Sequence, residues 1–284
     1  RAVVTETSPT NLVHREYPPT QSLRPFVRRM LCSESEGATE HIIPVPPTGS
    51  LYLTFVFGAP VSIRMSDGIA RAAPRLFVGG QLRDEFPVTE VSGQVGLLGV
   101  EFTPSGFYRL FQTDCSDLTD RMTDFSQLLP QQASDLERQL METPDLTGRF
   151  GLLQDFLAAF AANAVETGRL DAALALVERL QGRIPVEQLA EKTCISSRQL
   201  HRRFLKCVGI GPKHYAKIVQ IKHAFEALHN GNPGELQHFA QAAGYYDQSH
   251  FIHDFQRFIG TNPAAFLQHS DPFLETYLRH STGH

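Results

Sequence analysis

The chain has 284 residues, with 26 Lys+Arg against 30 Asp+Glu, a formal net charge of −4 and 42% hydrophobic residues. That is enough chain for two ordinary domains, and the balance excludes a disordered chain, a collagen-like repeat and a small disulfide scaffold. The longest apolar stretch, residues 51–61, is broken by Thr54 and Gly58 and falls short of the roughly 18 residues a membrane span needs, so no membrane partner is expected.

Residues 1–16 contain Arg1, Glu6, His14, Arg15 and Glu16 and no apolar run, so no secretory leader is read there. Cys32, Cys115, Cys194 and Cys207 are far apart and form no C-x-x-C pair. They suit neither a zinc ribbon nor a disulfide framework, and they read as buried structural thiols in a reducing, cytoplasmic setting, with oxidant sensing as the alternative use.

The first half reads as β-rich. Leu51, Leu53, Phe55 and Phe57 alternate with Tyr52, Thr54 and Val56, and Val61, Ile63 and Met65 alternate with polar residues up to the turn Ser66-Asp67-Gly68. Further strands are predicted near residues 76–78 and 91–102, punctuated by glycine and proline as in a sandwich or barrel. At Thr103-Pro104 the pattern predicts a helix cap with proline in the first turn, ahead of Phe107, Leu110 and Phe111.

Beyond about residue 116 the period becomes helical. Leu136 and Leu140, then Phe150, Leu153, Phe156, Leu157 and Phe160, place an apolar stripe on each of two helices. Such stripes pack into their own domain or form an interface between copies, and the expectation of a homodimer through residues 131–165 rests on them.

Charge then changes sign along the chain. Residues 171–269 hold 11 Lys+Arg and 8 Asp+Glu, leaving 15 and 22 for the rest, and eight of the twelve histidines lie in the same segment. Two domains with different partners are implied.

That basic segment repeats itself once. Leu189-Ala190 matches Phe239-Ala240, and Cys194-Ile195 matches Gly244-Tyr245, at a shift of 50; Leu200 and Phe251, Phe204 and Phe255, Gly209 and Gly260, and Pro212 and Pro263 match at a shift of 51. Each copy reads as a short helix, a tight turn, a second helix capped by Ser196 or Asp247, and a Gly-x-x-Pro stop. These are two helix-turn-helix units joined by a helix over about residues 212–228. Small Ala190 and Ala240 suit a close helix crossing, and Leu200, Phe204, Phe251 and Phe255 face inward. The opposite face of the first unit presents Arg198, His201, Arg202 and, at its edge, Lys206. Arginine can bond two acceptors on a guanine edge from a helix lying in the major groove. The second unit offers Gln248, Ser249, Ile252 and His253 and is less basic.

Residues 170–267 resemble the DNA-binding domain of AraC/XylS-type transcriptional regulators. The S-x-x-x-L-x-R-x-F core is present as Ser196, Leu200, Arg202 and Phe204. The second signature is matched by Gly244, Tyr245, Asp247, Ser249, Phe251, Phe255, Gly260 and Pro263. The resemblance covers about a third of the chain. It implies a transcription factor that binds double-stranded DNA with two recognition helices in successive major grooves, with RNA polymerase as a further partner if it activates. It assigns base contacts to Arg198, His201, Arg202, Gln248, Ser249 and His253, and phosphate contacts to Ser197, Lys206, Lys213 and Lys217. Members often carry Arg where this chain has His253, and a basic residue where it has Gln220. Residues 98–107 resemble the G-V-x-F-x-P-x-G-F segment of the sensor half of a family subgroup, which implies a small β-domain that binds a small-molecule effector or another signal, these residues themselves reading as a strand-to-helix junction held by Gly99 and a Pro-capped helix that shapes the domain.

The expected organisation is an α+β chain of two domains: a β-rich effector-sensing domain at 1–130, a helical linker at 131–167, a double helix-turn-helix domain at 168–270, and a tail at 271–284. Enzyme motifs are absent. There is no G-x-S-x-G elbow, no phosphate loop and no dinucleotide fingerprint, and Gly79-Gly80 is too short to cradle a phosphate. His14 and His41 have no metal-ligand spacing, and His250 and His253 lack a third ligand, so no metal and no cofactor are expected. Asp84 and Glu85 beside Arg83 read as a surface loop. The alternative to a DNA-binding regulator is an interaction protein that keeps the fold with DNA binding weak or lost.

Overall fold

The protein is described by a computed structural model over residues 3–7, 12–83, 87–230, 240–241, 244–260 and 262–268. Its described strands form one antiparallel sheet. The path runs through β1 (Val3–Thr7), β2 (Leu12–Tyr17), β3 (Val27–Pro44), β8 (Val88–Phe102), β4 (Tyr52–Val56), β7 (Leu76–Gly79) and β9 (Met122–Asp124), with β5 (Val61–Arg64) joined to β8 and β6 (Ala70–Ala72) to β5.

Strand β8 is the spine. Its residues 97–101 pair with β4 and its residues 88–91 pair with β5, so one strand serves two partners and the sheet curls between them. The bend falls near Gly93, at φ +123°, and Gly96. A side chain on Gly58 would lie 2.4 Å from the Gln94 carbonyl oxygen, an approach only glycine permits. Strand β3 follows the bend with a register shift between Glu34 and Ala38, the kind of bulge that lets paired strands turn a corner.

Alternation in the sequence locates β4, β5, β7 and most of β8. It does not reveal β3, whose Arg28, Arg29, Glu34, Glu36 and Glu40 hide its period. Those charges are tolerated through cross-strand pairs, Arg15 with Glu34 and Arg29 with Glu101.

The helix expected to start at Thr103-Pro104 starts later. Helix α1 (Gly106–Phe111) follows Ser105, which makes no capping bond and donates instead to Asp171 at 2.8 Å, while the Thr103 hydroxyl donates to the Pro25 carbonyl. A Cβ at Gly106 would stand 2.0 Å from the Phe26 carbonyl oxygen, so contact with the segment leading into β3 fixes where the turn begins.

Helices α2 (Pro130–Glu142) and α3 (Leu146–Ala161) spend their stripes inside the chain. Leu136, Leu140, Phe150, Leu153 and Leu157 share one core with Phe55, Leu98, Phe102 and Phe107 of the sheet and α1. Within residues 131–167, read from the sequence as a linker, Leu136, Leu140, Phe150, Leu153 and Leu157 pack against the β-domain, while Phe156 and Phe160 of the same stripe stay partly exposed.

The C-terminal half is helical: α4 (Arg169–Arg179), α5 (Val186–Lys192), α6 (Ser197–Val208), α7 (Pro212–Asn230), α8 (Gln248–Ile259) and α9 (Pro263–Gln268). The repeat is visible in its backbone. Ser196 caps α6 in a reciprocal box with Gln199, and Asp247 caps α8 by accepting from the His250 amide. Gly209 and Gly260 end the two helices in left-handed conformation, at φ +96° and +81°. The turns before them match as well, with Cys194 at φ +54° and Gly244 at +81°. Phe239 of the second unit, Asp84 and Glu85, and the tail 271–284 lie outside the described residues.

Cys32, Cys115 and Cys207 are buried, as the thiol reading expects, but Cys194 is exposed, because a left-handed turn at the surface holds it outside the core. The second unit has glycine at this position. Cys194→Gly is expected to stabilise the protein by about 0.5–1 kcal/mol, since a Cβ in left-handed backbone costs more than the added freedom of the unfolded chain; chemical denaturation of the two proteins measures the difference, and a loss of stability would contradict a strained turn.

Candidate nucleic-acid interface

The two second helices of the repeat are amphipathic for a local reason. On α6, Leu200, Phe204, Cys207 and Val208 are buried, and on α8, Phe251, Asp254, Phe255, Phe258 and Ile259 are buried, which leaves one polar face on each. The α6 face carries Ser197, Arg198, His201, Arg202 and Arg203, all exposed. Arg203 belongs with the others by position, although the sequence analysis did not single it out. Among the described residues no ion pair engages Arg198, Arg202 or Arg203, so their guanidinium groups are not committed within the chain. The α8 face carries exposed Gln248, Ser249, His250 and His253, with Gln256 and Arg257 further along.

The expected phosphate contacts divide. Ser197 sits exposed at the start of α6 and Lys213 exposed at the start of α7. Lys206 is exposed but lies 5.7 Å from the centre of the Tyr108 ring of α1, at the edge of the contact between the two halves. Lys217 points inward, 2.9 Å from Asp254 of α8. Gln220, expected as a departure from a basic position, is buried and accepts from Lys217 at 3.0 Å.

The β-domain holds a cavity of about 190 Å³ inside the curl of the sheet. Leu31, Ile43, Val61, Phe77 and Leu97 contribute apolar wall, and Arg29, Ser50 and Tyr52 contribute polar groups. Cavity and helical half meet through a buried charge cluster. Glu101, with no exposed surface, accepts from Arg29 at 2.6 Å and from Ser50 at 3.2 Å, and pairs with Arg28 at 3.5 Å. Arg28 reaches Glu178 of α4 at 3.9 Å, and the Tyr215 hydroxyl of α7 donates to the same carboxylate at 2.6 Å. Lys222 of α7 donates to the Thr48 carbonyl, a cavity-wall residue, at 3.3 Å. The Thr119 hydroxyl donates to the Gly209 carbonyl at 2.6 Å, docking the end of α6 on the β-domain.

Burial works to raise the Glu101 carboxyl, and Arg29 and Arg28 outweigh it, holding the group below its usual range. Burial, with Arg28 beside it, pushes the Lys222 ammonium down to about 7. Sequence reasoning found none of this cluster: Glu101 and Lys222 lie far apart in sequence, and only docking of the halves brings them together.

The chain thus consists of a β-rich domain and a helical domain that carries two helix-turn-helix units. Residues 189–269 match a family described as a helix-turn-helix domain, and residues 15–124 match a family described as a domain of unknown function. Over 89 residues the chain is 28% identical to the HTH-type transcriptional activator RhaS of Escherichia fergusonii, covering 31% of this chain and 32% of RhaS. The match therefore spans about a third of that relative. Among solved structures, ToxT from Vibrio cholerae is similar with a TM-score of 0.46 at 8% identity, covering 82% of this chain and 98% of ToxT. The AraC-like transcriptional activator CuxR is similar with a TM-score of 0.30 at 11% identity, covering 75% of this chain and 83% of CuxR. Among the described residues, no helix is long and apolar enough to cross a membrane, and no cluster of His, Cys, Asp and Glu is arranged to hold a metal ion.

The lowered Lys222 value has a direction. Its ammonium binds a proton less readily in the folded chain than in the unfolded one, so between about pH 7 and the ordinary lysine value stability is expected to rise with pH. Lys222→Met should remove that rise. Thermal melts across pH 7–10 check this; an unchanged slope would place Lys222 in a solvated setting.

Proposed function

We propose that this protein is a sequence-specific DNA-binding transcriptional regulator that reads two successive major grooves with α6 and α8 and is controlled by a small molecule held in the β-domain. The doubled helix-turn-helix carries the reading. Both recognition helices follow a left-handed turn, start at a side-chain cap and end at a left-handed glycine, and both turn a polar face outward. The match of residues 189–269 to a helix-turn-helix family supports it.

In this reading Arg198, His201 and Arg202 of α6, and Gln248, Ser249 and His253 of α8, meet base edges, while Ser197, Lys206 and Lys213 meet phosphates. Arg203 extends the basic face. The 19 residues of α7 span about 28 Å, close to the roughly 34 Å of one DNA turn that separates successive major grooves. With its basic face concentrated on α6, the first unit supplies most of the affinity and the second adds specificity.

The cavity is the effector site. At about 190 Å³ it exceeds the roughly 150 Å³ of an apolar cavity that admits benzene, so a single-ring or short-chain molecule fits. The charge cluster runs from its wall, at Arg29 and Thr48, to Glu178, Tyr215 and Lys222 of the helical half, which gives an occupant a physical route to the DNA-binding domain. The setting is cytoplasmic, where regulators meet DNA. RNA polymerase is a partner if the protein activates, and a homodimer through residues 131–165 would use the partly exposed Phe156 and Phe160 of α3.

Selection of binding sites from a random duplex library, on the full chain, tests the reading. Two enriched motifs about 10 base pairs apart are expected. Arg202→Ala should cost about 1–3 kcal/mol on the selected site and relax one base position. If no sequence is enriched, the reading fails and the interaction-protein alternative takes its place.

A further inference from the structure

Helix α8 carries a carboxylate among its inward aromatic side chains. Asp254 is buried alongside Phe251, Phe255 and Phe258. Such a group is costly unless a charge compensates it. The compensation comes from α7. Lys217 Nζ lies 2.9 Å from Asp254 Oδ2, and the ammonium stands 4.7 Å from the centre of the Tyr245 ring. Tyr245 belongs to the turn before α8, and its ring meets those of His250 and Phe251 edge-on at 5.4 and 5.3 Å. One ammonium on the connecting helix therefore touches both the turn and the helix of the second unit. Gln220, one turn further along α7, accepts from the same Nζ and sets its direction.

Among the described residues the first unit has no such device. At the shift of 51 that relates the two copies, the position of Asp254 corresponds to Arg203, which is exposed on α6. Orientation of α6 is fixed instead by its apolar face and by docking on α1 and the Cys115–Leu118 turn.

We propose that Lys217 and Asp254 form a latch that sets the rotation of α8 relative to α7. Successive helical residues point about 100° apart. Anchoring Asp254 therefore fixes the direction of its neighbour His253, and with it Gln248 and Ser249. Lys217 is a positioning residue for the second half-site and does not contact phosphate. The inference rests on α8 being a recognition helix.

Two measurements on the full chain test it. The first is a double-mutant cycle of stability without DNA, using Lys217→Met, Asp254→Asn and the double variant. Coupling between the two sites is expected, and additive effects would overturn the latch. The second is site selection with Lys217→Met and Lys217→Arg. Lys217→Met should keep the first half-site motif, lower the preference for the second by roughly tenfold, and leave the salt dependence of binding unchanged. Lys217→Arg, which keeps the charge, should retain both motifs. Weaker binding to all sequences alike, with the salt slope reduced by about one unit, would show a phosphate contact and overturn the proposal. If the unaltered protein selects no bipartite site, the DNA-reading function fails on its own account, and the stability cycle still decides whether the pair holds α8.

Discussion

The carboxylate of Glu101 is the point on which the two halves of the molecule depend. It has no exposed surface and lies on the spine strand β8, where Arg29 and Arg28 of β3 and the Ser50 hydroxyl converge on it. A charge buried this deeply holds only while its partners stay in place. Arg29 is also a wall of the cavity, and Arg28 continues to Glu178 on α4. One wall of the cavity and the docking of the helical half are thus tied to one electrostatic arrangement.

The two recognition helices descend from one pattern but are held differently. Helix α6 keeps its basic groups outward and is seated by apolar contacts and by the β-domain. Helix α8 keeps a carboxylate inward and is seated by a lysine of the connecting helix. The first unit therefore presents an exposed basic face and is positioned next to the cavity-bearing domain. The polar face of the second, with Gln248, Ser249 and His253, brings little net charge.

How much of this was legible depended on how local the signal was. The repeat could be read because caps, left-handed turns and Gly-x-x-Pro stops are chemistry of a few adjacent residues, and the structure places Ser196, Asp247, Gly209 and Gly260 in those roles. Strands β4, β5 and β7 could be read because alternation is local too. Strand β3 could not, because its in-strand charges are compensated by partners on β2 and β8. The cap expected at Thr103-Pro104 moved because Gly106 packs against the backbone of Phe26, and the packing of Leu136, Leu140, Phe150, Leu153 and Leu157 on the sheet could not be read because it joins residues far apart in sequence.

From sequence alone came the β-rich half, the helical half, the doubled helix-turn-helix and the polar faces of α6 and α8, since each follows from periodicity and short-range backbone chemistry. Tertiary structure alone decided which cations remain outward and which turn inward. Lys213 and Lys217 lie one helical turn apart on α7 and look alike in sequence. One is exposed, and the other is drawn inward to Asp254, because the pairing of a buried charge is settled by what packs against it.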